Sequence, residues 1–255
     1  MNETDEAQKK KHTKIALILA LTCATLIFLN FIVISIIFNW TDWIAILVFS
    51  FVFIVPAYIS NAGMVLVGGG RPIDGGKFCK DGRRILGDHK TINGLIKGPL
   101  FVGIPLSLGI FLIFYIFWPF IRLIPIQTAA QGFFVLYSNL HYYEFYFLGG
   151  PFPIGIFMLI LRIILCSYGA ALGDLAGSFL KRRLNYPSGA PFWGIDQLDF
   201  VLGAIFFASI PALFLPGIYY APDLNIIIFL LIITPSVSII ANTIAYIAGW
   251  KNVPW

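Results

Sequence analysis

The chain has 255 residues, of which 59% are hydrophobic and only 11% are charged, and its mean hydropathy is +0.88. Soluble domains carry about 25% charged residues, so this composition excludes a soluble globular protein and indicates an integral membrane protein. The three cysteines are too few for a disulfide framework, and no His/Cys cluster of the kind that binds zinc is present.

Six apolar stretches reach the roughly 20 residues that a helix needs to cross the hydrocarbon core. In chain order they are Ile15–Phe38, Trp43–Val67, Pro99–Ile124, Pro153–Leu180, Leu198–Tyr219 and Ile226–Gly249. The first is too long for a signal-peptide core and lacks a following cleavage site, so we predict a membrane anchor. The sequence predicts an all-α integral membrane protein with six transmembrane helices and two functional loops.

Positive charge predicts how these helices are oriented. Fifteen of the 17 Lys and Arg residues fall in segments that six spans place on one side of the membrane. They are Lys9, Lys10, Lys11, Lys14, Arg71, Lys77, Lys80, Arg83, Arg84, Lys90, Lys97, Lys181, Arg182, Arg183 and Lys251. The positive-inside rule therefore predicts a multi-pass cell-membrane protein with both termini in the cytoplasm. On the opposite side, the aromatic segment 127–150 lacks cations and is predicted to form an interfacial helix.

The fourth span carries polar residues at its basic end. Asp174, Ser178 and Lys181 share one face of a 3.6-residue helix. An ionisable residue this close to the membrane interior is costly to bury and suggests a functional site. The alternative is structural, because Asp174 would also be satisfied by pairing with Arg182 or with a neighbouring helix.

Two further carboxylates, Asp196 and Asp199, open the fifth span with a spacing that points both to one side. Either one alone is better explained as an N-terminal helix cap. Together with Asp174 they form a set of hard oxygen ligands suited to Mg²⁺, which proteins usually hold with one or two carboxylates and substrate phosphates. The adjacent cations suit a polyphosphate.

The loop "GGGRPIDGGKFCKDGRRILGDHKTINGLIKG" joins the second and third spans. Membrane topology and attraction to lipid headgroups would explain its positive charge. Its glycines and interspersed aspartates are better explained by a folded pocket for a nucleotide or headgroup, because glycine lets backbone approach phosphate closely. It contains no GxxxxGK[ST] phosphate-binding loop.

Several of these stretches resemble a known family. "SFLKRR" followed by "DQLD" is similar to the signature of the integral membrane CDP-diacylglycerol synthases. The archaeal branch, the CDP-archaeol synthases, resembles the chain more closely. The shared stretches are "VPAYISNAGMVLVGGGRPIDGG", "DGRRILGDHKT", "GDLAGSFLKRR", "GAPFWGIDQLDFVLGA" and "NTIAYIAGWKNVPW". The family typically has five spans, so the resemblance predicts a five-helix enzyme domain at 43–255 preceded by an additional tail and helix at 1–42.

The resemblance implies a reaction and a set of site residues. CTP and an isoprenoid ether lipid phosphate would give a CDP-lipid and pyrophosphate, with Mg²⁺ as the cofactor and no nucleic-acid partner. Asp174, Asp196 and Asp199 would hold the metal. Asp174, Lys181 and Arg182 would be catalytic. The nucleotide would contact Ser178, Lys181, Arg182, Asp81, Arg83, Arg84, Lys90 and Thr91.

Two other functions fit parts of the sequence. A transporter or flippase for an anionic solute would use the intramembrane Arg162 and Asp174. Inverted sequence repeats would favour this interpretation, and we find none. A CDP-alcohol phosphatidyltransferase also uses an aspartate cluster, but its DGxxAR pattern does not occur here.

Overall fold

A computed structural model of the chain describes residues 3–186, 192 and 195–250. Nine α-helices form within these ranges. They are α1 (Glu3–Ile37), α2 (Trp40–Leu66), α3 (Ile92–Lys97), α4 (Ile104–Ile121), α5 (Leu123–Ala129), α6 (Leu140–Tyr143), α7 (Ile154–Arg183), α8 (Ile195–Ser209) and α9 (Leu224–Ile247). Of the stretch "GAPFWGI", only Phe192 and Ile195 are among the described residues. The C-terminal segment 251–255, which begins with Lys251, also lies outside them.

The prediction of six spans in an all-α membrane protein is confirmed. Among the described residues, six helices are long and apolar enough to cross a membrane. They cover Lys10–Ile37, Trp40–Leu66, Ile92–Thr128, Ile154–Arg183, Ile195–Leu213 and Leu224–Ile247. The third is longer than predicted because α3, a π-helical turn at Gly98–Gly103, α4 and α5 follow one another with almost no break.

The π-helical turn packs closely against α2. A Cβ atom added to Gly98 would lie 2.7 Å from the Met64 side chain, and one added to Gly103 would overlap the hydroxyl of Ser60. Glycine is therefore required at both positions, because backbone meets helix α2 without intervening side chains. This contact fixes where the loop between α2 and α3 begins and ends.

The aromatic segment at the opposite end of the bundle differs from the prediction. It does not form a single surface helix: α5 is largely exposed, whereas α6 and a π-helical turn at Glu144–Leu148 turn inward. Tyr146 is buried and stacks on Phe49 of α2 with ring centroids 4.7 Å apart. Buried Asp42 anchors the segment by accepting hydrogen bonds from the backbone N–H groups of 135–137, each at 3.0 Å. Burial of these rings outweighs exposure at the membrane interface.

Arg162, in the middle of α7, is fully buried. Its guanidinium donates to the carbonyl oxygens of Phe145 and Tyr146 at 2.9 and 2.6 Å. It also lies over the Phe111 and Phe145 rings. Two carbonyl oxygens thus bind both terminal nitrogens of this cation and hold it inside the membrane, while its Nε has no hydrogen-bond partner among the described residues.

Helix α1 packs along α9 and α2, with Ala16, Cys23 and Ile34 buried and most of its other apolar side chains exposed. Trp43 Nε1 donates to Asn30 Oδ1 at 3.0 Å, which ties α1 to the start of α2. The helix lies at the edge of the bundle and faces lipid along most of its surface.

Helices α7 and α8 make the most extensive contact between helices in the described bundle. Gly169 and Gly173 of α7 meet Gly203 of α8, and a Cβ at Gly173 would lie 2.2 Å from the Asp199 carbonyl oxygen. Small residues at a spacing of four let two transmembrane helices approach to backbone contact. This contact sets the position of the first turns of α8, which carry Asp196 and Asp199.

Replacing Gly173 with alanine is expected to lower the stability of the protein by about 1–3 kcal/mol, because the methyl group meets backbone that cannot move aside. Thermal unfolding in detergent measures the effect. Gly109→Ala on α4 is the matched control, since a Cβ there meets no atom within 4 Å. Equal unfolding temperatures for the two variants would contradict this account of α7–α8 packing.

Candidate functional site

The loop between α2 and α3, residues 67–91, folds over one end of the bundle; we call this end the basic end. The two ends of the loop meet in an isolated antiparallel bridge between Pro72 and Thr91. The Ile73 N–H donates to the Lys90 carbonyl at 2.8 Å. Thr91 then caps α3 by accepting from the Gly94 N–H at 3.1 Å. These contacts fix the backbone of Lys90 and Thr91 immediately beside α7.

Asp74 organises the interior of this loop. Its buried carboxylate accepts from the Arg84 guanidinium and from the backbone N–H groups of Gly76, Leu86 and Gly87, at 3.0–3.2 Å. Burial alone would raise the pKa of Asp74, but these hydrogen bonds outweigh it and lower the pKa to about 2. The carboxylate therefore stays charged at neutral pH and holds the loop closed.

Three of the predicted phosphate-binding arginines instead fasten the loop to itself and to α7. Arg84 pairs with Asp74 and Asp88. Arg182 donates to the Leu86 carbonyl at 3.1 Å, and Arg83 donates to the Arg183 carbonyl.

Arg183 completes this attachment. It donates to the Asp81 carboxylate at 2.7 Å and to the Arg84 carbonyl at 2.6 Å. The basic cluster of the loop and of α7 is thus largely engaged in docking one element on the other.

A cavity of about 480 Å³ opens where the loop meets α2, α3 and α7. Its lining combines the glycines after α2 with polar side chains of the loop and one carboxylate of α7. The polar and glycine positions are Asn61, Gly68, Gly69, Gly70, Asp88, His89, Lys90, Thr91, Gly94 and Asp174. This volume lies within the usual range of about 300–1,000 Å³ for small-ligand sites.

Lys90 and Asp174 face each other inside this cavity. The ammonium nitrogen lies 2.7 and 2.6 Å from the two carboxylate oxygens, and about a quarter of each side chain is exposed. The sequence predicts a nucleotide contact for Lys90 and a metal contact for Asp174, and the structure brings the two residues together as an ion pair. The structural alternative pairs Asp174 with Arg182 or with a neighbouring helix, whereas the observed partner lies on the loop between α2 and α3.

A second ion pair of the same kind joins α7 to α8. The Lys181 ammonium lies 2.9 Å from both oxygens of Asp196, which also accepts from the Phe192 N–H at 3.0 Å. Ser178, one turn before Lys181, is buried in α7. Asp174 on α7 and Asp196 on α8 are therefore each paired with a lysine near the membrane edge.

Asp199 belongs to neither pair. It lines an apolar groove of about 440 Å³ between α7 and α8, whose other walls include Leu172, Leu180, Leu202 and Phe206. Its carboxylate packs against Gly177 of α7, where a Cβ would lie 2.2 Å from Oδ2. Asp199 is nevertheless within electrostatic range of Asp174 and Asp196. Cavity and groove thus lie on two faces of one helix and are coupled by charge.

The donor chemistry of this end of the bundle suits a hard divalent cation. Among the described residues, no group of three or more His, Cys, Asp or Glu side chains is arranged to hold a metal by itself. Asp174 and Asp199 do place two carboxylates within electrostatic range. Since Mg²⁺ usually takes one or two carboxylates and completes its shell with substrate phosphates and water, these residues fit such an ion only together with a phosphate ligand.

Comparison with known proteins identifies the family. The chain matches the CarS-like family, described as CDP-archaeol synthase, over residues 43–123 and 126–255. The chain belongs to this family. A CDP-archaeol synthase of Thermococcus onnurineus is 41% identical over 209 residues, which cover 82% of this chain and 97% of the relative. One of Methanosarcina barkeri is 36% identical and covers 79% and 99%.

A solved structure described as "Structural insight into an intramembrane enzyme for archaeal membrane lipids biosynthesis" is also similar. It is 27% identical, covers 79% of this chain and 92% of its own, and superposes with a TM-score of 0.44.

Sequence reasoning missed the structural roles of Asp74, Arg183 and the α7 glycines. Asp74 precedes Gly75 and Gly76, the pattern of an Asx turn in which the side chain accepts from the N–H two residues on, as it does here. The spacing of Gly169, Gly173 and Gly177 is a small-residue repeat that predicts close helix packing. The contacts of Arg183 with Asp81 and with loop carbonyls about 100 residues away have no local signal.

Asp74→Asn is expected to open the loop at neutral pH, at a cost of about 1–3 kcal/mol, because it removes the charge on which Arg84 and three N–H groups converge. Hydrogen exchange of peptides spanning 73–87 measures the opening. Asp88→Asn is the control, because that carboxylate also pairs with Arg84 but its side chain is 73% exposed. Equal protection in the two variants would contradict the role of Asp74.

The same contact predicts a pH dependence. The folded pKa of Asp74 is depressed to about 2 from an ordinary value of 3.8, so its stabilisation is present above pH 3.8 and is lost as pH falls toward 2. Wild-type loop protection should decline over that interval. In the Asp74→Asn variant this component of the pH dependence should be missing.

Proposed function

We propose that this protein transfers the cytidylyl group of CTP to archaetidic acid, an isoprenoid ether lipid phosphate, and releases pyrophosphate. The observation that carries the proposal is the family match, which spans nearly all of residues 43–255 and so includes both the cavity and the groove.

The cavity beside α7 is the proposed site of CTP. Gly68, Gly69 and Gly70 let backbone approach phosphate oxygens, and Lys90 supplies an ammonium group at the floor. Arg83, Arg84 and Arg182 support the site by holding the loop in place, so their predicted contact with nucleotide becomes an indirect one. Thr91 and Asp81 act in the same way, as a helix cap and as a partner of Arg183.

The groove between α7 and α8 is the proposed site of the lipid. Its walls are apolar, it lies in helices that span the membrane, and its carboxylate is Asp199 at the basic end. Isoprenoid chains would lie along Leu202 and Phe206 with the phosphate at the membrane edge. Lys181, which follows Leu180 of the groove wall, would balance its negative charge.

The chemistry requires no protein nucleophile, because the lipid phosphate is itself one. An oxygen of that phosphate attacks the α-phosphorus of CTP, the bond from this phosphorus to the bridging oxygen breaks, and the electron pair leaves with pyrophosphate. Enzymes accelerate such transfers mainly by positioning and by neutralising charge. Lys90 and Lys181 supply that neutralisation, and the close packing of α7 on α8 positions the two phosphates.

Mg²⁺ is the proposed cofactor, held by Asp174 and Asp199 together with CTP phosphates; Asp196 lies beside them, paired with Lys181. When bound, it would withdraw charge from the phosphate oxygens and align the triphosphate. The basic end would face the cytoplasm, where CTP is found, which places both termini inside by the positive-inside rule.

Residues 1–42 are proposed as an addition to the five-helix enzyme domain at 43–255. The family match begins at residue 43, and α1 packs at the edge of the bundle.

A transporter gains no support. Arg162, which would line its pathway, is buried among aromatic rings and carbonyl oxygens.

The direct test of the synthase supplies purified protein in detergent micelles with CTP, Mg²⁺ and archaetidic acid or an ester phosphatidic acid. Pyrophosphate release that requires lipid supports the synthase, and a preference for the ether lipid supports the proposed substrate.

Asp174→Asn should lower turnover in this assay by at least about 10³-fold, because it removes a charge that acts at the reacting phosphates. The neutral side chain is nearly isosteric, so expression and unfolding temperature should change little. Normal pyrophosphate release from a folded Asp174→Asn protein would contradict the proposed site.

Leu202→Trp should narrow the groove and raise KM for the lipid by about tenfold or more, while KM for CTP stays the same. Leu112→Trp on α4 is the matched control, because both leucines are exposed to lipid to a similar degree, 50% and 59%. If the two tryptophan variants had the same lipid KM, the groove would not be the lipid site.

A further inference from the structure

Two lysines neutralise two of the three aspartates that the sequence predicts as metal ligands, and one of the two, Asp174, also holds the metal in the proposed function. Lys90 reaches both oxygens of Asp174, and Lys181 reaches both oxygens of Asp196. Both lysines come from segments that the same function assigns to phosphate. The groups meant for cation and anion therefore satisfy each other in this structure.

The geometry at Asp174 makes this pairing exclusive. Its two oxygens lie 2.7 and 2.6 Å from a single ammonium nitrogen, which occupies the face where a divalent cation would take the same oxygens. A metal ion and an ammonium group cannot share that position, because both would approach within bonding distance of the same lone pairs and would repel each other.

Lys90 has the freedom to leave. Its backbone is fixed, since its carbonyl accepts from Ile73, but its side chain is a flexible four-carbon stem in an open cavity. The ion pair is not needed to dock the loop, because Arg182 and Arg183 already hold Leu86, Arg84 and Asp81 against the end of α7.

We propose that Lys90 is an internal competitor of the metal ion at Asp174, displaced when nucleotide phosphates offer it another anion. The inference rests on the proposed function and adds an order of binding to it. Without nucleotide the protein binds a divalent cation weakly, and it binds the cation–nucleotide pair strongly. The lysine also keeps Asp174 from standing as an uncompensated charge at the membrane edge between turnovers.

The test measures Mn²⁺ binding without nucleotide, by the electron paramagnetic resonance signal of free Mn²⁺, on full-length protein in a maltoside detergent that carries no phosphate. Lys90→Met should bind Mn²⁺ about five- to tenfold more tightly than wild type. The gain is modest because the Lys90–Asp174 ion pair is partly exposed, and its removal frees the Asp174 carboxylate for the metal. Lys97→Met is the matched control: it removes the same charge from a position outside the cavity lining and should stay within about twofold of wild type.

Binding by Lys90→Met that is equal to or weaker than wild type overturns the inference, since a lysine that merely arranged the carboxylate would weaken binding when lost. Lys90→Gln repeats the test if the methionine variant does not fold. The double variant Lys90→Met/Asp174→Asn should lose the gain. If the double variant keeps the tighter Mn²⁺ binding, the metal binds elsewhere and the proposed function is contradicted. If Lys90→Met binds Mn²⁺ no more tightly than wild type while Asp174→Asn still abolishes turnover, only the competition is contradicted.

Discussion

The close contact of α7 with α8 is the constraint on which the functional end of the molecule depends. Gly169, Gly173 and Gly203 let the two backbones touch, so the first turns of α8 are set against α7 without adjustable side chains between them. As a result Asp196 falls within reach of Lys181, and Asp199 faces a groove open to lipid. One carboxylate-bearing helix thereby separates a polar cavity from an apolar groove and serves both.

Charge at this end is arranged in pairs with different purposes. Asp74 with Arg84, and Asp81 with Arg183, fold the loop and fasten it to α7. The lysine pairs, by contrast, face the cavity and the membrane edge and contain the groups best suited to exchange partners with a substrate. Arginine forms several directed hydrogen bonds at once and suits the fixed role, whereas lysine is a flexible point charge and suits the exchangeable one.

The sequence predicts the six spans well because each apolar run is near the length of a membrane crossing. It selects Asp174, Lys90, Lys181 and Asp196 as candidate site residues, and the structure pairs Lys90 with Asp174 and Lys181 with Asp196. That they act in one site stays a prediction. The sequence does not predict that Arg83 and Arg182 bind protein carbonyls, because those contacts join positions about 100 residues apart in the chain. It misplaces the aromatic segment after α5, because interfacial and buried aromatic residues have the same composition.

The central claim is that a lipid phosphate displaces pyrophosphate from CTP at the shared end of α7 and α8. Protein reconstituted in vesicles with archaetidic acid and Mg²⁺ can be given CTP labelled either at the α- or at the γ-phosphorus. The account predicts that α-label appears in the lipid fraction and γ-label in free pyrophosphate, in equal amounts. Label that reaches the vesicle interior as intact CTP, or a lipid fraction that acquires γ-label, would contradict it.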